Sequence, residues 1–366
     1  MKIIYKIVFA QLLVALISFE AFSQELNVSV KNSSMLKRVS ETVEVPFSAI
    51  KGEFQRAMDR IVVCDKAGKH LPSQLTSTGL LFQATVLPKS SEQYTLKLAQ
   101  QSDEYAQHAF GRLVPERFDD WSWENNRIAF RVYGPALQAT GEISNGMDVW
   151  LKSTTELVIN KWYKNGINYH EDTGEGLDCY KVGRTLGAGA MAPVVDGKFN
   201  LGENFVKAEL IDSGAIRTTV HLTYAPQTVG DFIINEERII SLDANTNFNK
   251  ITQIYKGDFD KLDVAAGIVL RKGGKIEQTA QSVAYIEPTD PKNGTTYVAV
   301  IMNNKCVCEK IDGHITMRSS MKSGNPLTYL SGAGWSKAGF PKADDWVKAV
   351  EEQTIRLNNP LKVIVK

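Results

Sequence analysis

The chain has 366 residues, 43% hydrophobic, 23% charged and 9% aromatic, with 27 Gly and 12 Pro. That balance belongs to a folding chain and excludes disorder, collagen and coiled coil as descriptions of the whole. Lys plus Arg number 42 and Asp plus Glu 41; setting aside Lys2, Lys6 and Glu20 leaves 40 against 40, so no net charge draws the chain to nucleic acid or an anionic membrane.

The N-terminus reads as an export signal. Lys2 and Lys6 form a short positive region, Ile7 to Phe19 an apolar run, and Ala21-Phe22-Ser23 a small-residue cleavage site that would leave Gln24 first. The run is too short and wrongly flanked for a membrane span. No cysteine adjoins the cleavage site, so a lipid anchor is not expected. The expectation is a periplasmic or secreted protein without a membrane span.

From Gln24 onward the pattern is β. Alternating or β-branched runs cover Thr42 to Val45, Arg60 to Asp65, Leu80 to Val86, Tyr94 to Leu98 and Ile128 to Tyr133. They resume at Ile216 to Tyr224, Phe232 to Leu242, Ile251 to Tyr255, Val264 to Leu270, Thr296 to Met302 and Leu361 to Val365. Gly-containing turns separate them. Helical periodicity is sustained only over Asp344 to Leu357, with a cap near Lys342-Ala343-Asp344. So many strands with hardly a helix close into stacked sheets or a barrel. No fixed-period repeat or low-complexity linker interrupts them, so one domain is expected from Gln24 to Lys366.

The four cysteines, Cys64, Cys179, Cys306 and Cys308, allow three pairings that spacing does not decide. Cys306 and Cys308 would share one face of a strand and so not bridge each other. No zinc spacing is present. Buried or unpaired thiols are the favoured reading, with no catalytic role.

Two segments carry chemistry. The first runs from Pro115 through Asp119-Asp120-Trp121-Ser122-Trp123-Glu124 to Tyr133. Strand alternation sets Ile128, Phe130 and Val132 on an apolar face and Arg127, Ala129, Arg131 and Tyr133 on the other. Two guanidinium groups and a phenol suit a carboxylate ligand. Trp121, Trp123 and Glu124 upstream suit sugar rings, which stack their C–H faces and hydrogen-bond their hydroxyls. The alternative is a solvated face whose arginines pair with Asp119, Asp120 and Glu124.

The second segment runs from Asn160-Lys161-Trp162-Tyr163 through Tyr169-His170-Glu171-Asp172 and Asp178-Cys179-Tyr180 to Arg184 and Gly189. A polar loop of this length in a β domain is more often functional than idle. His170 is its natural proton-transfer group; its alternative is a structural histidine bonded to a carboxylate. Asp172, Glu175 and Asp178 recur around two glycines and make a calcium ion a weak further candidate, outside the EF-hand pattern; no other cofactor is called for. Gly183 to Gly189 lacks the Lys-Ser/Thr of a phosphate loop, which rejects a nucleotide site. His70, His108, His221 and His314 read as surface or packing residues, and no Gly-x-Ser-x-Gly elbow appears.

Three stretches carry a family resemblance: Val114-Pro115-Glu116-Arg117 to Tyr133-Gly134-Pro135-Ala136-Leu137; Tyr169-His170-Glu171-Asp172 to Leu186-Gly187-Ala188-Gly189; and Gly332-Ala333-Gly334-Trp335-Ser336 with Asp345-Trp346. Over nearly all of the mature chain the sequence resembles the exported bacterial family of domain of unknown function 4861. The resemblance implies an all-β, mainly antiparallel β-supersandwich with few short helices, related to galactose mutarotases and several polysaccharide lyases. It also implies an origin among polysaccharide-degrading Bacteroidota and chemistry on uronate oligosaccharides. Fold kinship alone does not fix a reaction.

On that footing the expected reaction is β-elimination, as lyase or dehydratase, giving a 4,5-unsaturated uronate. Arg131 would neutralise the substrate carboxylate, assisted by Arg184 or Lys161, while His170 takes the C5 proton and Tyr133 or Tyr163 protonates the departing O4. Base and acid could exchange between His and Tyr. Trp121, Trp123 and Trp162 would stack on sugar rings, with Glu124 and Arg127 as further contacts. A mutarotase or epimerase with Glu124 as base, a non-catalytic sugar-binding protein and a glycoside hydrolase built on two carboxylates are the alternatives. Oligomeric state is not legible.

Overall fold

The computed structural model describes residues 25–101, 103–164 and 167–366. The leader expected over residues 1–23 lies outside the described residues. What is described is an all-β sandwich, mainly antiparallel, with few short helices.

A smaller lobe gathers both ends of the described chain. Glu25–Lys31 pairs with Ser91–Leu98 on one side and with Lys362–Val365 on the other. A three-stranded sheet of Arg38–Pro46, Gly79–Val86 and Ser73–Leu75 shares a core with it. Alternation dictates the packing: Val28, Val30, Val43, Val45, Phe82 and Leu96 turn inward, and their polar neighbours face out.

The larger lobe stacks a nine-stranded sheet against two five-stranded sheets around one long core. Phe232–Asp243, its longest strand, buries Ile234, Ile240 and Leu242. Two central strands, Ala188–Val195 and Leu327–Trp335, are rich in Gly, Ala and Ser and carry little strand signal. Close sheet contact explains them: Ser331 Oγ donates to the Ala188 carbonyl at 2.6 Å. A Cβ at Gly189, whose φ is +103°, would lie 2.5 Å from that Oγ.

The expected helix spans Ala343–Asn358, and the Lys342 backbone N–H donates to Asp345 at 3.0 Å as its cap. It lays Trp346 on Phe248, with ring centroids 5.4 Å apart, and leads the chain back to the smaller lobe. Gln74 ties the lobes together, its Oε1 accepting from the Ile216 and Arg217 backbone N–H groups at 2.8 Å each. A cavity of about 590 Å³ lies at this junction beside Glu44, Arg217, Asp243 and Arg356.

Candidate active site

Asp120–Asn125, Ile128–Val132 and Asp148–Lys152 are neighbours in one five-stranded sheet. Their register sets Ser122, Arg131 and Asp148 side by side. Trp121, Trp123, Ile128, Phe130, Val132, Val149 and Leu151 enter the main core, so the intervening residues share the opposite face. There Arg131, 5% exposed, meets three carboxylates. Its Nη2 donates to Asp148 Oδ2 at 2.6 Å and to Asp178 Oδ2 at 3.0 Å, while its Nε stands 3.9 Å from Asp120 Oδ2.

One guanidinium does not satisfy three buried acids. Arg131 Nε and Nη1 and Asp120 Oδ2 make no hydrogen bond among the described residues. Burial pushes the Asp148 carboxyl up to about 7; Asp178 adds to the rise and Arg131 opposes it. Burial also lifts Asp120 to about 6, and raises Asp178, in each case against the charge of Arg131. Burial disfavours the Arg131 charge, but Asp148 and Asp178 outweigh it and hold the guanidinium well above its ordinary range. The Tyr133 and Trp150 rings lie 5.4 Å from its central carbon.

The segment after Lys152 folds over this face because Glu124 holds it down. Glu124 accepts from Lys152 Nζ at 2.6 Å and from the Val158 and Ile159 backbone N–H groups at 2.8 and 2.7 Å. The short helix Ile159–Trp162 then stacks Trp162 on Trp150 at 5.6 Å. Tyr163 meets Tyr169 edge-on, and Tyr169 packs against His170 at 4.4 Å. Tyr163 also shares a 3.0 Å hydrogen bond with Ser122, and burial raises its phenol well above its ordinary range, so it keeps its proton.

His170 stands at the solvent-facing edge of this cluster, its side chain 59% exposed. Its Nδ1 lies 3.0 Å from the Asp178 carbonyl oxygen and 3.6 Å from the Asp178 carboxylate. A carbonyl only accepts, so Nδ1 carries the proton, and in the neutral ring the lone pair is left on Nε2. Arg131 and His170 thus flank the same Asp178 oxygen. Beside them runs a turn with two successive left-handed residues, Phe118 at φ +52° and Asp119 at +58°. It presents Arg117, which makes no hydrogen bond or ion pair among the described residues and whose charge favours ionisation of both Asp120 and Asp178.

Several expected roles change. Trp121, Trp123 and Trp162 are at most 3% exposed, so none offers a face for sugar stacking. Trp121 and Trp123 sit in the main core, and Trp162 packs on Trp150. Glu124 spends its oxygens on Lys152 and two backbone amides and is no free base. Arg131, already ringed by carboxylates, is not placed to receive a fourth. Tyr133 is buried against it, leaving Tyr163 as the more accessible phenol. Lys161 pairs with Glu175 at 2.7 Å, and Arg184 donates to the Gly202 and Leu201 carbonyls. Arg127 is exposed at the other end of its strand and lines a cavity with Asn245 and Arg356.

The calcium candidates diverge: Asp172 caps the Gly174 and Gly176 amides, Glu175 meets Lys161 and Asp178 meets Arg131. Among the described residues no group of His, Cys, Asp and Glu gathers as a metal site, and no helix is long and apolar enough to cross a membrane. All four cysteines are free thiols. Burial pushes Cys179 up to about 12, which makes it a poor nucleophile.

Asp148, Trp150, Tyr169 and Arg117 were not singled out from sequence. Asp148-Val149-Trp150-Leu151-Lys152 has the period-2 pattern that could have shown a polar strand face.

Similarity to known proteins agrees with the sandwich. Two solved structures from Enterococcus faecalis match it, a protein of glycosyl hydrolase family 38 and an alpha-mannosidase, with TM-scores of 0.52 and 0.51 at 10% and 11% identity. Each match covers 93% of this chain but only 47% and 46% of the other, so the chain spans about half the length of those proteins, and the likeness is one of fold. A full-length relative, uncharacterized protein P7 of Formosa agariphila, is 33% identical over 94% of both chains. With residues 30–363 also matching the family model, the chain belongs to the family of the domain of unknown function DUF4861.

Proposed function

We propose that the chain is a carbohydrate-active enzyme working outside the cytoplasm by acid–base catalysis. Its reaction is β-elimination on a uronic-acid-containing oligosaccharide. The observation that carries this reading is His170, held at Nδ1 by Asp178 with most of its side chain exposed. Nε2 takes the C5 proton, the C5–H electrons form the C4=C5 bond, the C4–O bond breaks, and the departing oxygen takes a proton from Tyr163. The Asp178 carboxylate stabilises the imidazolium that results. Arg117, whose guanidinium lies over the Phe118 ring and makes no ion pair among the described residues, takes over the charge neutralisation expected of Arg131.

The ring of carboxylates favours a second reading. It repels an anionic sugar and accepts a neutral one, as a mutarotase or epimerase would, with His170 moving a proton at the ring or anomeric oxygen. One experiment separates the two. Mature protein is mixed with saturated and lyase-treated uronate oligosaccharides while ultraviolet absorbance, product mass and anomeric proton signals are followed. Rising absorbance with loss of water means dehydratase, and with chain cleavage means lyase. Flat absorbance with accelerated anomer or epimer exchange sinks elimination and leaves the second reading.

A further inference from the structure

Asp178 turns into the Arg131 cluster, but the next residues, Cys179, Tyr180 and Lys181, line a different cleft of about 200 Å³. Its other wall comes from Arg271, Glu287 and the segment through Asn293. Lys292 lies 3.4 Å from Glu171, and Lys337 lies 3.6 Å from Asp172, so this wall sits against the loop that carries His170.

Among the described residues, three buried polar atoms of lining residues have no hydrogen-bond partner: the Tyr180 hydroxyl, Glu287 Oε1 and Asn293 Oδ1. Tyr180 is only 7% exposed, and an unpaired buried polar group is costly to keep. Arg271 does not relieve Glu287, since its Nε stays 3.9 Å from Oε2. Burial accordingly pushes the Glu287 carboxyl up to about 7, Arg271 opposing.

The chemistry of the unpaired atoms selects the ligand. Glu287 Oε1, when ionised, and Asn293 Oδ1 can only accept, and Tyr180 can also donate. A carboxylate or sulfate brings further acceptors and satisfies neither oxygen. A metal cation would sit beside the Arg271 guanidinium. Adjacent sugar hydroxyls each donate one hydrogen bond and accept another. We propose that this cleft is a subsite for a neutral sugar ring with free neighbouring hydroxyls, next to the unit that reacts at His170. Glu287 and Asn293 accept from those hydroxyls and Tyr180 donates to one. The proposal rests on the carbohydrate reading of the His170 site.

The test uses binding, so that it does not depend on which reaction occurs. Neutral trisaccharides of glucose, mannose, galactose and xylose, each also fully O-methylated, are titrated into wild type, Glu287→Gln and Tyr180→Phe by calorimetry and saturation-transfer NMR. Thermal melts confirm that each variant is folded. At least one free trisaccharide is expected to bind wild type, to weaken about ten- to hundred-fold in each variant, and to lose binding when O-methylated. No binding of any trisaccharide, or binding indifferent to both substitutions or to methylation, overturns the subsite. If the trisaccharide binds as expected while no uronate oligosaccharide is turned over, the subsite stands and the elimination reading fails.

Discussion

Two arginines are buried in the larger lobe, and their surroundings differ. Arg238 is 1% exposed and spends every nitrogen. It donates to Glu236 at 2.5 Å, to Gln253 at 3.1 Å, and to Asn145 at 2.7 Å through the side chain and 3.3 Å through the carbonyl. Glu236 is completed by Gln253 at 3.0 Å and Gln227 at 3.3 Å. One positive charge meets one negative charge, and the polar groups around them close the network. Arg131 instead faces three carboxylates, leaves two of its nitrogens unpaired among the described residues, and brings no carboxyl back down to its ordinary range. A satisfied network fixes a conformation. An over-acidic and under-satisfied one holds protons that can move near neutral pH, and such sites are where function concentrates.

The sharpest break of this contrast is at His170, which stands over Asp178 and has no counterpart at Arg238. His170→Ala should cut turnover by about a hundred- to ten-thousand-fold. The melting temperature should stay put, because the side chain is mostly solvent-exposed. A matching loss of stability would mean that the ring is structural.

Removing each arginine compares the clusters directly. Arg238→Met should destabilise by about 3–5 kcal/mol by stranding Glu236, and adding Glu236→Leu should return most of that loss. Arg131→Met should cost a similar amount near pH 7, but part should return at about pH 5, where buried carboxyls protonate. Denaturant melts at both pH values measure this. Equal acid recovery by both single variants would erase the distinction.

A smaller effect should appear in wild type without any mutation. The folded pKa of Asp148 lies far above its unfolded value of about 3.9, so folding favours its protonated form. That contribution is complete below about pH 4 and is lost as pH rises through about 7. Asp120 acts in the same direction up to about 6. Denaturation midpoints should therefore fall between these limits, and Asp148→Asn should flatten the decline. A flat wild-type profile would show that the two acids are ionised in the fold.

Much of the frame was legible in sequence. Phe232 to Leu242 alternates in burial because one face is covered and the other is not. Leu80 to Val86 stood out as an apolar run whose first residues are buried on both faces, and the one long helix stood out against them. Ala188–Val195 and Leu327–Trp335 did not stand out, since tight sheet contact selects small residues that carry little strand propensity. At the site, composition brought out His170, Arg131 and the tyrosines. It did not tell which face of the strand the tryptophans take. Trp121 and Trp123 alternate with Asp120, Ser122 and Glu124, and only the neighbouring strand decides which set is buried in the main core. Asp148 was missed because its importance lies in register, opposite Arg131 on the next strand.

The smallest effect expected is at Lys161, which the sequence offered as a helper for the substrate carboxylate. Its ammonium reaches both Glu175 oxygens at 2.7 Å, yet the Lys161 side chain is 55% exposed. Water screens such a pair and side-chain entropy opposes it, so Lys161→Ala should change stability by less than about 1 kcal/mol. High salt should mute even that difference, whereas it should leave the cost of Arg131→Met nearly unchanged, because buried charges are screened little. Turnover decides between surface pair and substrate contact. If Lys161→Ala raises KM for a uronate oligosaccharide about tenfold while stability holds, then Glu175 releases the lysine when substrate binds. The cation serving the carboxylate would then come from the loop carrying His170, and Arg117 would not be needed for it.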